Sequence, residues 1–203
     1  MPQTRPMDIK NIASHLTSTG YIVLDTPLPT ALLNHLLVRC QHDDDARFHP
    51  AQIGRGAQKQ QQTAIRGDSI AWLDEQNAGD QGYLAWMEQL RAGLNAELFL
   101  GLFDYESHYA IYAAGAGYAK HVDALQGAKN RVLSSVLYLN PDWHSGDGGE
   151  LLMFAPDGDT VLETLTPQLG TMILFLSETF PHQVLPSLTT RRSIAGWFRV
   201  RNN

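Results

Sequence analysis

At 203 residues with a formal net charge of −6, the chain is long enough for one sizeable core, and its acidic balance argues against a nucleic-acid backbone as partner. Its composition, 43% hydrophobic and 18% charged, excludes disordered and fibrous classes. A single cysteine, Cys40, leaves no intramolecular disulfide, and neither a signal pattern nor an apolar run of about 18 residues occurs, so one cytoplasmic domain over 1–203 with no membrane partner is expected.

Ile9, Ile12, Ala13 and Leu16 recur at helical spacing, and Gly20 follows where a helix C-terminal glycine belongs. Tyr21 to Leu24 is a short apolar strand. Residues 29 to about 46 read as a second helix, which the acidic run Asp43-Asp44-Asp45 should stop early, because anions oppose the C-terminal end of the helix dipole. Residues 47–67 lack apolar periodicity and are rich in Gln and Gly, which marks a long loop; Arg47, Arg55, Lys59 and Arg66 make it basic. Leu84, Met87, Leu90, Leu94 and Leu98 predict a third helix over 80–98.

From Tyr105 onward short β-type runs alternate with turn residues: 108–112, 118–122, 131–139, 150–154, 161–165, 171–175, 183–185 and 193–200. The pattern predicts a mostly β, α+β fold, a sandwich or jelly roll over about 105–200 supported by helices in about 1–104.

His121-Val122-Asp123 offers two ligands at alternate positions of a strand end, on one face of a sheet. Alone, such a triplet is common. His182 lies 59 residues beyond Asp123 in another β-region, and two imidazoles with one carboxylate form the facial triad that binds non-haem iron(II) while leaving coordination positions open. A closed structural zinc site prefers four ligands, often thiolates, which one cysteine does not favour. Strand alternation puts Arg191, Ser193, Ala195 and Trp197 on one face, where the Arg191 guanidinium can pair bidentately with the carboxylate of an acidic cosubstrate. The rival reading, a non-catalytic metal- or sugar-binding β-sandwich, has no use for that guanidinium.

The stretches Ile65 to Trp72, Gly117 to Asp123, Tyr138 to Trp143 and Pro181-His182-Gln183-Val184 through Arg191 resemble, in order and spacing, the signatures of the iron(II)- and 2-oxoglutarate-dependent prolyl hydroxylases, specifically the HIF prolyl hydroxylase-like family and its bacterial branch. The resemblance covers roughly Arg47 to Trp197. It implies a double-stranded β-helix of the cupin-like, jelly-roll kind, with Fe(II) on His121, Asp123 and His182. It also implies 2-oxoglutarate and O2 as cosubstrates, and ascorbate as a reductant. Arg191, Tyr138, Tyr112 and Trp197 are implied around 2-oxoglutarate, with Arg191 and Tyr138 on its distal carboxylate. Arg66, Asp68, Trp72, Tyr118, Val122 and Arg131 are implied along a peptide groove, with Asp68 and Arg131 as a pair across it. The implied reaction is trans-4-hydroxylation of a prolyl residue in a protein, elongation factor Tu being the bacterial partner that the resemblance suggests. An oxygenase acting on a small molecule is the alternative. Ala195 stands where the oxygen-sensing enzymes offer a threonine, a departure that bears on the substrate and leaves the triad and Arg191 intact.

Overall fold

A computed structural model of the chain describes residues 7–41, 46–51, 66–123 and 130–201. Helix α1 (Ile9–Ser18) is capped by Asp8, whose side chain accepts from the Asn11 N–H, and it buries Ile12, Ala13 and Leu16. Gly20 follows in the left-handed region, φ 84°, where a Cβ would also strike the Phe180 ring. Strand β1 spans Tyr21–Leu24. Helix α2 (Thr30–Cys40) ends short of the acidic run; Asp43, Asp44 and Asp45 themselves lie outside the described residues. Helix α3 (Ala78–Leu98) starts at Asn77, which accepts from the Gly79 and Asp80 N–H groups, and buries Met87, Leu90 and Leu94 against the other helices.

One short strand falls inside the stretch that sequence periodicity assigned to loop, and a second follows directly after it, where no element was expected. β2 (His49–Pro50) and β3 (Asp68–Trp72) pair antiparallel, and β3 continues onto β4 (Asp104–Tyr112). The first half of the chain is therefore not purely helical support. β3 escaped notice because it opens on an aspartate, and that residue is buried only because Arg66 forms a bidentate pair with it. The predicted loop between them, residues 52–65, lies outside the described residues.

The remaining strands are β5 (Tyr118–His121), β6 (Arg131–Tyr138), β7 (Leu151–Phe154), β8 (Val161–Leu165), β9 (Met172–Leu176), β10 (His182–Val184) and β11 (Arg191–Arg199). They form two antiparallel sheets, ordered β1-β9-β6-β11-β4-β3-β2 and β5-β10-β7-β8. From β4 to β11 the strands alternate between the sheets except at β7 and β8, which pair within the smaller one, the order of a double-stranded β-helix, while β1 and β3-β2 extend the larger sheet at its two edges.

Period-two alternation gives the larger sheet two working faces. Ile194 and Phe198 of β11 join Tyr109, Ile111, Leu133, Leu137, Met172 and Leu174 in the core shared with the helices. Ile173 and Phe175 point the other way, meeting Leu151, Met153 and Leu165 of the smaller sheet. Buried Asp80 ties the layers, accepting from Arg39 on α2 and from the Tyr109 hydroxyl on β4. No helix among the described residues is long and apolar enough to cross a membrane.

Candidate active site

In the smaller sheet His121 sits opposite His182, so strand pairing alone brings two imidazoles together, ring centroids 4.3 Å apart. Asp123 lies beyond the end of β5 rather than on it, and the turn there swings its Oδ1 to 3.7 Å from His121 Nε2 and 3.8 Å from His182 Nε2. One ligand atom from each residue lies within 4.8 Å of the others. His121 Nδ1 bonds the Ala119 carbonyl at 2.8 Å, and His182 Nδ1 the Phe180 carbonyl at 3.1 Å. A carbonyl oxygen only accepts, so each Nδ1 carries the proton and each Nε2 offers its lone pair.

The Ser134 hydroxyl donates to Asp123 Oδ2 at 2.5 Å and is itself backed by Ser177 at 2.9 Å. Burial by itself raises the Asp123 pKa, but the two neighbouring imidazoles and Ser134 outweigh it and hold the carboxyl well below the usual carboxylate range. Burial lowers the His182 pKa, against the pull of Asp123. An anionic carboxylate facing two imidazole lone pairs is a divalent-cation site with room for further ligands.

Across a cavity of about 240 Å³ lies Arg191, only 1% exposed. Its Nε donates to the Gly149 carbonyl at 2.9 Å and its Nη1 to the Ser193 hydroxyl at 3.3 Å, while the guanidinium carbon lies 5.2 and 5.1 Å from the Tyr112 and Tyr138 ring centres. Arg191 Nη2 and the Tyr138 hydroxyl are buried without a hydrogen-bond partner. Burial pushes the Tyr138 phenol up to about 12, so it remains a donor. Two orphaned donors on a buried cation and a phenol call for an anionic acceptor between them.

Residues 107–199 match the profile of the 2OG-Fe(II) oxygenase superfamily. A solved Pseudomonas putida prolyl-4-hydroxylase is 38% identical, with TM-score 0.85 over 96% of this chain and 100% of that one. The chain belongs to the 2OG-Fe(II) oxygenase superfamily, in its prolyl hydroxylase branch. A Trichoplax adhaerens prolyl hydroxylase, solved with a hypoxia inducible factor peptide fragment, is 26% identical with TM-score 0.83 over 94% of this chain and 88% of that one. Human Egl nine homolog 1 is 29% identical over 79% of this chain, which spans 39% of that relative's length.

The oxygenase cofactors, iron(II) and 2-oxoglutarate, fit the residues present. The triad offers one carboxylate and two lone pairs, and the orphaned donors of Arg191 and Tyr138 suit a carboxylate.

Of the residues expected around the cosubstrate, Arg191, Tyr112 and Trp197 line the cavity, and Tyr138 lies beneath it against Arg191. Arg66, Asp68, Tyr118, Val122 and Arg131 also line it, whereas Trp72, 48% exposed, lines an adjoining groove that shares His108, Arg131 and Trp197 with the cavity. The expected Asp68–Arg131 pair does not form. Asp68 is held at 2.7 Å by Arg66, two residues before it, and Arg131 at 2.9 Å by Glu106, reached across the intervening strand β11, so both charges are already matched.

Three contributors escaped sequence reasoning. Ser134 seats Asp123. Asn140 staples the end of β6 to β11 beside Arg191, accepting the Arg192 N–H at 2.7 Å and donating to the Arg192 and Pro167 carbonyls. His108 lines the cavity between Trp72 and Trp197, 3% exposed. Its position, alternating with Ala110 and Tyr112 on β4, was a usable signal, since all three face the cavity.

Proposed function

We propose that this protein is a 2-oxoglutarate- and O2-dependent prolyl 4-hydroxylase acting on a protein substrate. The observation that carries the reading is the meeting, in one cavity, of the His121–Asp123–His182 triad with the buried guanidinium of Arg191, against which Tyr138 packs. Iron(II) with 2-oxoglutarate and dioxygen supplies the oxidising power that converts a C–H bond into C–OH. The protein does the rest. His121, Asp123 and His182 hold the metal. Arg191 and Tyr138 clamp the distal carboxylate of 2-oxoglutarate and fix its orientation, with Tyr112 and Trp197 walling the space around it. Leu151, Val184 and Ala195 line the same cavity and limit the water beside the reacting carbon.

A neutral polymer segment as substrate is supported by the rim. Among the described residues, the rim arginines Arg66 and Arg131 are already neutralised by Asp68 and Glu106, while Trp72 and Val122 offer exposed apolar surface. The relatives named as prolyl hydroxylases support a prolyl target. Resemblance to the bacterial branch makes elongation factor Tu the first protein to test, and a cytoplasmic site of action goes with it.

The test is aerobic turnover of the iron-loaded protein with 2-oxoglutarate and elongation factor Tu. We expect succinate and the gain of one oxygen atom on a proline, both lost in His121→Ala. Succinate without modification of that protein would keep the oxygenase and reject this substrate. Absence of 2-oxoglutarate binding would reject the reading.

A further inference from the structure

We propose that Tyr118 is a positioning residue for the metal ligand His121, holding its imidazole plane by face-to-face stacking and linking it to the cavity rim. The inference rests on the metal-triad reading and is independent of the identity of the substrate.

Tyr118 and His121 are three residues apart on β5, and in a regular strand an odd separation sends side chains to opposite faces. Here they stack, ring centroids 3.7 Å apart and planes at 19°. The cause lies in the pairing. β10 sets His182 opposite His121 and Val184 opposite Tyr118, so two steps on one strand match three on the other. That irregularity is a β-bulge, a device that re-aims a side chain. The extra residue turns Tyr118 onto the face of His121.

A cation lies over the tyrosine ring as well. The Arg66 guanidinium carbon lies 5.0 Å from the Tyr118 ring centre, and Asp68 grips that guanidinium at Nε and Nη2, 2.7 and 2.9 Å. Backbone holds the same assembly together. Arg66 and Tyr118 form an antiparallel bridge, and the Gly67 N–H donates to the Gly117 carbonyl at 3.0 Å. Gly117 packs so closely on the Val184 carbonyl that a Cβ there would collide with it, which fixes where β5 begins relative to β10.

His121 is thereby restrained in two independent directions. The Ala119 carbonyl fixes the ring within its plane through Nδ1, and the Tyr118 face fixes the plane itself. His182 needs no such partner, being enclosed by Phe175 at 4.9 Å and buried. His121 is the more exposed ligand, with 20% of its side chain accessible against 7% for His182, so it is the one that gains from a stacked neighbour.

The experiment uses Co(II) as probe, titrated into the metal-free full chain and followed by its visible absorption, with no substrate present. Tyr118→Phe keeps the stacked face, and we expect its Co(II) affinity to stay within about twofold of wild type, well inside the penalty for losing an outer-shell partner. Tyr118→Leu keeps bulk without a π face, and we expect about tenfold weaker binding with shifted absorption bands. Tyr118→Met replaces it should the leucine variant not fold, as judged by circular dichroism. Equal affinity and an unchanged spectrum in the leucine or methionine variant would overturn the inference while leaving the metal site standing. A loss in Tyr118→Phe as large as in Tyr118→Leu would also overturn it, since the hydroxyl rather than the ring would then be responsible. Wild type that takes up no Co(II) would overturn the inference together with the metal reading.

Discussion

The floor and the rim of the cavity both carry arginines, and they treat charge in opposite ways. At the rim, Arg66 and Arg131 are each matched to a carboxylate of the chain, and Glu106 is shared further with Arg199. At the floor, Arg191 is almost wholly buried, yet it bonds only a carbonyl and a hydroxyl and leaves Nη2 unpartnered. Burying a cation without a counter-charge costs several kcal/mol. An anionic ligand would return that energy, so the floor suits an anion, whereas the described rim arginines already have their counter-charges.

The sharpest way to break this contrast is Arg191→Leu. Losing a buried charge-assisted clamp costs about 2–5 kcal/mol, on the order of a hundredfold in half-saturating 2-oxoglutarate, read by isothermal calorimetry. The same variant should melt higher than wild type when cofactor-free, because a packed apolar side chain replaces an unpaired buried cation. Both shifts, in opposite directions, are needed.

His108 gives the next effect. Burial first, and the Arg66 charge second, lower its pKa to about 4. The unfolded chain takes up a proton near pH 6.5, whereas the folded chain resists until about 4. Between those values the unfolded state binds more protons, so stability falls as pH falls, by up to about 3 kcal/mol. Urea unfolding across that window should show the slope in wild type, flattened in His108→Phe.

Tyr138→Phe removes one neutral donor from the floor and should weaken 2-oxoglutarate binding by about 1 kcal/mol, roughly fivefold, with metal affinity unchanged. Smallest of all, Arg131→Leu at the rim should cost under about 1 kcal/mol of stability in thermal melts, and it should leave 2-oxoglutarate binding as it was. A large loss of cosubstrate binding there would erase the distinction between the two regions.

The floor was legible in the sequence, and much of the rim was not. Arg191, Ser193, Ala195 and Trp197 share a face by strand periodicity, which needs no knowledge of partners, and all four line the cavity. His121 and His182 were recognisable by residue type, and their meeting is a matter of strand pairing. The rim depends on choices among alternatives. Asp68 had more than one arginine within reach, and only the three-dimensional arrangement shows that Arg66 wins. Ser134 is an ordinary strand serine until β6 is laid beside Asp123. The stacking of Tyr118 on His121 depends on a bulge, which no period-two reading can anticipate.

Strand β11 has a consequence for how such a protein changes over time. It is paired along its length on both sides, with Arg191, Ser193, Ala195 and Trp197 lining the cavity while Ile194 and Phe198 anchor the helical layer. A one-residue slip of the whole strand would exchange the two sets, sending the guanidinium into the hydrophobic core and the phenylalanine into the site. Point substitution at alternate positions therefore changes the site and leaves the core untouched, whereas a change of length in this strand must be absorbed by a bulge before it reaches Arg191.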